Sequence, residues 1–281
     1  MTCFADSARY EIATVTENVR LARDTMRVRI AAPEMARQAV PGQFFMIRIA
    51  TGNDPLIGRA FALYELDPED RAWFDLVYLV KGRLTTRLAE LRPGDPLAVW
   101  GPLGNGFDPI ACDHLIMVAG GIGQTPFLAL GKEALGRQAY GTPPRPSGYA
   151  SDVTFCYGVR SADYLSDVDR FQQLGCEVLV ATEDGSAGPA QRVTDVLEQV
   201  LARQTGRRSR IACCGPEPMM EAVAAMARRY QVPCQVSLET PMACGIGICF
   251  TCVARIGTPH DWDYKRTCVE GPVFDAHHVQ W

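Results

Sequence analysis

The chain has 281 residues, 47% of them hydrophobic and 21% charged, an ordinary globular balance with room for more than one domain. Its formal net charge of -4 provides no basic face with which a duplex binder displaces counterions. The opening MTCFADSARYEIATV has no basic stretch or apolar core of a secretory signal, and no run approaches the ~18 apolar residues of a membrane span. A cytoplasmic protein that binds neither nucleic acid nor membrane is expected.

Residues 8 to about 108 read as short β runs: YEIATVTENV, TMRVRIAAP, QFFMIRIA, GRAFALY, WFDLVYLV and PLAVWGP, punctuated by Pro41-Gly42, Pro93-Gly94 and Gly101-Pro102. Strands at this spacing predict an antiparallel barrel, with one short helix at TTRLAELR. The pattern then changes. HLIMVAG is a continuous apolar strand, followed by helix TPFLALGKEAL, strand DVTFCYGV, helix ADYLSDVDRFQQL, strand EVLVAT, helix VTDVLEQVLARQ, strand SRIACCG and helix PMMEAVAAMARRY. Strands alternating with helices predict βαβ units on a parallel sheet. From about Val232 the chain turns short, glycine-rich and cysteine-rich. The expected architecture is multi-domain: a flavin-type antiparallel β-barrel (1–108), an α/β parallel-sheet nucleotide-binding domain (109–232) and a small C-terminal iron–sulfur subdomain (233–281).

Two glycine turns follow buried strands. GGIGQTP, with Gly120, Gly121 and Gly123, opens a helix whose free N–H groups attract anions. CGPEPMM, with Cys214, Gly215 and Pro216, lies at the carboxyl edge of the sheet, where open α/β folds bind ligands. In the barrel, Arg59 stands alone in an apolar strand, either as a strand-end charge or as a guanidinium for a pyrophosphate. GPLGNGF (101–107) is a glycine-rich turn where barrel meets sheet and is expected to border a flat cofactor.

Eleven cysteines in a reducing compartment point to metal ligands or catalytic groups before disulfides. Cys3, Cys112, Cys156, Cys176, Cys213, Cys214 and Cys234 are scattered and read as small buried hydrophobes. Cys244, Cys249, Cys252 and Cys268 follow C-x4-C-x2-C and then C after 15 residues, the spacing of a plant-type 2Fe-2S loop. Gly245 and Gly247 let backbone approach such a cluster. Zinc and free thiols are the alternatives, although structural zinc favours paired C-x2-C knuckles and the second pair is missing.

With these residues placed, the whole chain resembles the ferredoxin-reductase-like flavoproteins and, more narrowly, the electron-transfer subunits of NAD-dependent dihydroorotate dehydrogenase. GPLGNGF, GGIG, TEDGS, CGPEPMM, MACGIGICFTC and KRTCVEGPVFDA match in order. The resemblance implies FAD held by Arg59, Ala60, Phe61 and Ala62, by Val77, Tyr78 and Leu79, and by Leu84 and Thr85. Ala62 departs from the usual serine and Leu84 from a glycine, leaving Thr85 as the phosphate or ribose contact. It further implies NAD as substrate, a relay from nicotinamide through FAD to the 2Fe-2S cluster, and no catalytic side chain of the chain's own. The implied partner is an FMN-containing catalytic subunit that oxidises dihydroorotate to orotate for pyrimidine biosynthesis, in a heterotetramer of two catalytic and two electron-transfer subunits. Arg160 and Ser161 lie where an adenosine ribose would sit and leave NAD against NADP open, an arginine there being able to accept a 2′-phosphate; Asp163, Glu183 and Asp184 are either ribose partners or, as the residues alone favour, solvated loop acids. The competing readings are a subunit of a hydrogenase or of a ferredoxin:NADP oxidoreductase complex, and a non-enzymatic zinc module.

Overall fold

The computed structural model describes residues 8–203 and 206–281. The expectation for Cys3, and the last residue expected in the helix ending at Gln204, lie outside them. Six strands close a barrel: β1 (Arg9–Ala22), β2 (Thr25–Ala31), β3 (Phe44–Ile49), β4 (Arg59–Leu66), β5 (Trp73–Leu79) and β6 (Pro96–Leu103), in the order β1-β2-β5-β4-β3-β6. Every pairing is antiparallel. Alternation along β2 puts Val28 and Ile30 wholly inside, as a one-sided strand requires. Two short helices complete this part. α1 (Pro33–Gln38) begins on Pro33, whose missing N–H costs nothing at a helix start. α2 (Arg83–Ala89) buries Leu84 and Leu88 against the barrel.

The second sheet has six strands: β7 (Cys112–Gly120), β8 (Ala150–Val159), β9 (Glu177–Thr182), β10 (Ser209–Cys214), β11 (Cys234–Ser237) and β14 (Val273–Asp275). They run β14-β11-β10-β7-β8-β9, parallel except for β14, which lies antiparallel on β11. β7 is buried from His114 to Gly120 because helices cover both faces, and this explains its unbroken apolar run. The helices are α3 (Phe127–Ala134), α4 (Val168–Leu174), α5 (Val193–Ala202) and α6 (Glu217–Tyr230). A hairpin of β12 (Val253–Thr258) and β13 (Asp261–Arg266) projects between β11 and β14.

One expectation needs correction. The helix predicted over 162–174 is broken into a 3-10 turn at Ala162–Tyr164 and α4. Asp167 takes a left-handed backbone at φ 55°, which no helix accommodates, and Ser166 before it turns inward to hydrogen-bond Gln124 (3.3 Å). The segment from residue 233 carries the expected small C-terminal subdomain and is joined to the parallel sheet. Its two ends, β11 and β14, are strands of that sheet, so the cysteine-bearing stretch is a loop tied at both ends to the nucleotide-binding layer.

Candidate electron-transfer site

The turns GGIG and CGP meet at the carboxyl ends of the adjacent parallel strands β7 and β10, where Ala119 pairs with Cys214. They pack without spare room: a Cβ at Gly123 would stand 2.3 Å from the Cys214 carbonyl oxygen, and one at Gly215 2.9 Å from the Gly120 nitrogen. Gly121 through Gln124 form a 3-10 turn, and Pro126 caps α3 one residue after Thr125. Gly120, Gly121, Gly123, Cys214, Gly215 and Pro216 therefore form two closely packed backbone turns at the carboxyl edge of the sheet, the edge at which open α/β folds bind a pyrophosphate. The Cys214 thiol is pushed up to about 12 by burial and by the nearby Glu239 charge, against a hydrogen bond with Ser237. It is no nucleophile at neutral pH. Just after β9, Asp184 accepts from the hydroxyl (2.5 Å) and backbone N–H (2.9 Å) of Ser186, and these bonds hold its carboxyl below the ordinary range. Asp163 pairs with Arg23 at 3.7 Å. Arg160 and Glu183 are exposed at the ends of β8 and β9.

The barrel residues divide. Arg59 is exposed and donates to the carbonyls of Gly58 (2.9 Å) and Ile57 (3.3 Å). Ala60, Phe61 and Ala62 follow on β4, half-buried. The Phe61 ring meets Tyr78 of β5 edge-on at 5.9 Å. Tyr78 donates its phenol to Asn18 (3.1 Å), and burial drives its pKa upward. Val77 is buried in the apolar layer between barrel and sheet, and Leu79 is half-buried at the end of β5.

Three details differ from expectation. Leu84 faces the barrel core, away from any ligand on the outside. The Thr85 hydroxyl is engaged by its own helix start, accepting from the backbone N–H groups of Lys81 and Gly82 (both 3.0 Å) and donating to the Gly82 carbonyl (3.0 Å). The GPLGNGF turn grips the C-terminal segment. Asn105 donates its side-chain amide to the Val273 carbonyl (2.8 Å), accepts from the Val273 N–H (2.9 Å) and gives its backbone N–H to the Gly271 carbonyl (2.6 Å).

The four C-terminal cysteines converge as two pairs. Cys252 and Cys268 are buried with sulfurs 3.1 Å apart. Cys244 and Cys249 are close enough for one to influence the other's titration, with Cys249 exposed. Cys249 is drawn down to about 6, mainly by Thr251, whose hydroxyl lies 3.1 Å from its sulfur, and then by Cys244. Cys268 is pushed up to about 12 by burial and by its neighbour Cys252. The Ile246 N–H points at the Cys244 sulfur (3.4 Å). Gly245 has φ 74°, and a Cβ there would stand 2.6 Å from Met46 Cγ of the barrel. Two thiol pairs with an N–H aimed at sulfur fit a two-iron cluster, in which each iron takes two thiolates. By contrast Cys112, Cys156, Cys176, Cys213 and Cys234 are buried, and burial raises each thiol.

Sequence reasoning passed over two residues that join these parts. Met46 on β3 packs with Cys252 and Cys268 in one apolar cluster, and Trp100 on β6 donates its indole N–H to the Cys244 carbonyl (2.8 Å). Neither carries a local signal, since Trp100 is 144 residues from its partner. Around Cys249 the side chains of Ile246, Ile248 and Phe250 are exposed, Ile248 by 74%. Among the described residues no helix is long and apolar enough to cross a membrane.

Comparison with known proteins agrees with this geometry. Residues 12–107 match the oxidoreductase FAD-binding domain, 117–225 the oxidoreductase NAD-binding domain, and 239–280 the iron-sulfur cluster binding domain of dihydroorotate dehydrogenase B. The chain is 32% identical to the dihydroorotate dehydrogenase B (NAD(+)) electron transfer subunit of Desulforamulus reducens, over 93% of this chain and 94% of that one. The subunit of the same name from Bacillus caldolyticus is 34% identical, over 96% and 98%. Among solved structures, an NADH-dependent reduced ferredoxin-NADP oxidoreductase superposes with a TM-score of 0.80 at 29% identity, covering 96% of this chain and 90% of that one. A ferredoxin NADP+ reductase from Neisseria gonorrhoeae (TM-score 0.63, 18% identity, 79% and 91% covered) shares the fold. The chain belongs to the family of electron-transfer subunits of NAD-dependent dihydroorotate dehydrogenase B, flavin reductases that carry an iron–sulfur domain.

Proposed function

We propose that this chain passes electrons between NAD(H), FAD and a 2Fe-2S cluster, and exchanges them with an FMN-containing catalytic subunit that oxidises dihydroorotate to orotate. The assembly is a heterotetramer of two catalytic and two electron-transfer subunits in the cytoplasm. The domain limits are 1–108, 109–232 and 233–281. FAD supplies two-electron exchange with nicotinamide and one-electron exchange with the cluster. The chain's own residues bind and orient. Arg59 offers a guanidinium beside the half-buried stretch Ala60–Ala62, and Val77, Tyr78 and Leu79 line the neighbouring strand. Leu84 shapes the loop from inside, and Thr85 fixes the start of α2, leaving the Gly82–Arg83 backbone in a set position. Gly120, Gly121, Gly123, Cys214, Gly215 and Pro216 accept the nicotinamide dinucleotide, which we assign as NAD. Cys244 and Cys249 hold one iron, and Cys252 and Cys268 the other.

The observation that carries this reading is the seating of the cysteine loop on the barrel: Met46, paired across the sheet with Ala60, fills the space beside Gly245. That brings the flavin stretch and the cluster loop into one contact. The exposed Ile246, Ile248 and Phe250 around Cys249 form an apolar collar of the sort that marks a protein interface, and we place the catalytic subunit there.

A second reading has support in the 0.80 superposition on the reduced ferredoxin-NADP oxidoreductase: the same relay serving that kind of complex. Affinity purification from the native cell, with mass spectrometry of the partner and an orotate assay on the complex, separates the two. An orotate-forming partner is expected. Recovery of a ferredoxin-NADP oxidoreductase subunit and no orotate activity would reject the first reading.

A further inference from the structure

One row of side chains crosses the barrel from the flavin stretch to the first cluster cysteine. In the pairing of β4, β3, β6 and β1, Ala60 lies opposite Met46, Met46 opposite Trp100, and Trp100 opposite Tyr10. Directly paired residues project from the same face of a sheet, so the four share one face. The cysteine loop lies against it: Met46 Cγ stands 2.6 Å from where a Cβ of Gly245 would be, and Trp100 holds the Cys244 carbonyl at 2.8 Å.

The other end of the same indole reaches the flavin stretch. A Cβ at Gly58, the residue before Arg59, would stand 2.6 Å from Trp100 Cη2 and 2.8 Å from the Ile47 carbonyl oxygen. Glycine there lets the ring lie flush on the backbone that leads into Arg59. A single side chain therefore touches the start of the flavin segment through its six-membered ring and the first cluster cysteine through its N–H. The groove over this ring, of about 710 Å³, is bordered by Ile57 and Gly58 of the first segment, by Cys244 and Ile246 of the second, and by Tyr10 and Arg48 of the neighbouring strands.

We propose that Trp100 is the positioning residue that couples flavin to cluster: it fixes the separation of the two carriers and tunes the cluster through the Cys244 carbonyl. The inference rests on the placement of FAD and cluster proposed above. The indole is no carrier itself, because each electron that leaves the flavin arrives at the cluster and none resides on the ring. The half-buried indole N–H, with its fixed acceptor, holds one orientation. A hydrogen bond in the shell around a cluster also stabilises the more negative, reduced form and so raises its potential.

The test uses the full chain loaded with FAD and iron–sulfur cluster, as wild type, Trp100→Phe and Trp100→Leu. Phenylalanine keeps a ring in the apolar cluster with Met46 but has neither the N–H nor the outer ring edge that reaches Gly58, and leucine loses the ring as well. Rapid mixing with NADH, read by flavin absorbance and by electron paramagnetic resonance of the reduced cluster, separates the two transfers. The expected result is flavin bleaching at the wild-type rate in both variants. Cluster reduction is expected to slow by about tenfold or more, the scale on which small misplacement acts, with the cluster midpoint shifted to lower potential. Cluster reduction within about twofold of wild type in a Trp100→Phe chain with full cofactor content overturns the proposal. If Trp100→Leu sheds its cluster, Trp100→Phe decides by the same rate. A wild-type chain that binds both cofactors but never passes flavin electrons to the cluster refutes the placement beneath the proposal, and the proposal with it.

Discussion

Tyr64 of the barrel donates its phenol to Asp167 of the nucleotide-binding domain. The contact is one of several in a polar seam between the two cofactor-binding layers. Glu65, next along β4, receives both Lys132 of α3 and Arg170 of α4, and the Arg170 guanidinium also lies over the Tyr64 ring at 5.6 Å. β4 thus begins at the proposed flavin arginine and ends in the bonds that orient the nucleotide sheet toward it.

Glu65→Gln should loosen this seam. It removes the charge shared by Lys132 and Arg170, leaving Lys132 without that carboxylate and Arg170 with only Asp167 at 3.8 Å. The expected cost is roughly 2–3 kcal/mol, at the low side for a broken buried pair because both cations keep some solvent. Denaturant unfolding measures it, and hydride transfer from NADH should slow in parallel if the seam aligns the two layers.

The same carboxylate predicts an acid limit. Burial opposes its charge, but Arg170 and Lys132 outweigh burial and hold the Glu65 pKa below the ordinary value. A carboxyl depressed in the fold binds its proton less readily there than in the unfolded chain. Its stabilisation is therefore complete above the unfolded pKa of about 4.3 and is lost as pH falls through the folded value. Wild type should lose stability across that acid range more steeply than Glu65→Gln. Equal slopes would mean that Glu65 is not the group responsible.

Gly245→Ala tests how the cluster loop is seated. Alanine must adopt a left-handed backbone, at about 1–3 kcal/mol, and its methyl meets Met46 at 2.6 Å. Iron and sulfide per chain should fall well below wild type while FAD content holds. Gly245→Ala with Met46→Ala should recover part of the loss, since the collision goes and the backbone strain stays.

Gly123→Ala should affect the other half of the relay. Its methyl would stand 2.3 Å from the Cys214 carbonyl, forcing the two turns apart. Weaker NADH binding and slower flavin bleaching are expected, with FAD and iron content unchanged. Steady-state KM for NADH and metal analysis together check this.

The cysteines should sort by chemistry. Replacing Cys244, Cys249, Cys252 or Cys268 with serine should abolish the two-iron spectrum, whereas Cys156→Ala or Cys213→Ala should retain it at a modest stability cost. Visible spectra and iron content per chain discriminate. Retention of the cluster in Cys268→Ser would remove that residue from the ligand set.

Features carried by local pattern were legible in the sequence. The barrel strands alternate, the parallel strands are continuously apolar, and the cysteine spacing is itself a chemical statement. Features that depend on distant partners were not legible. The inward turn of Ser166 toward Gln124 breaks a helix that periodicity alone would continue. Asn105 looks like a turn residue and acts as a clamp on Val273, 168 residues later. Thr85 fits a ligand contact by motif, yet its hydroxyl bonds the start of its own helix. Trp100 reads as one more apolar strand residue until its partner is placed opposite.

The β12–β13 hairpin also bears on how the thiols find one another. Val253 pairs with Arg266 at its open end, and Thr267 donates its backbone N–H to the Cys252 carbonyl at 2.8 Å. Cys252 and Cys268 therefore meet across a short local turn, whose closure costs far less chain entropy than a contact between remote segments. That half of the thiol set is prearranged by backbone pairing and needs no metal to draw it together.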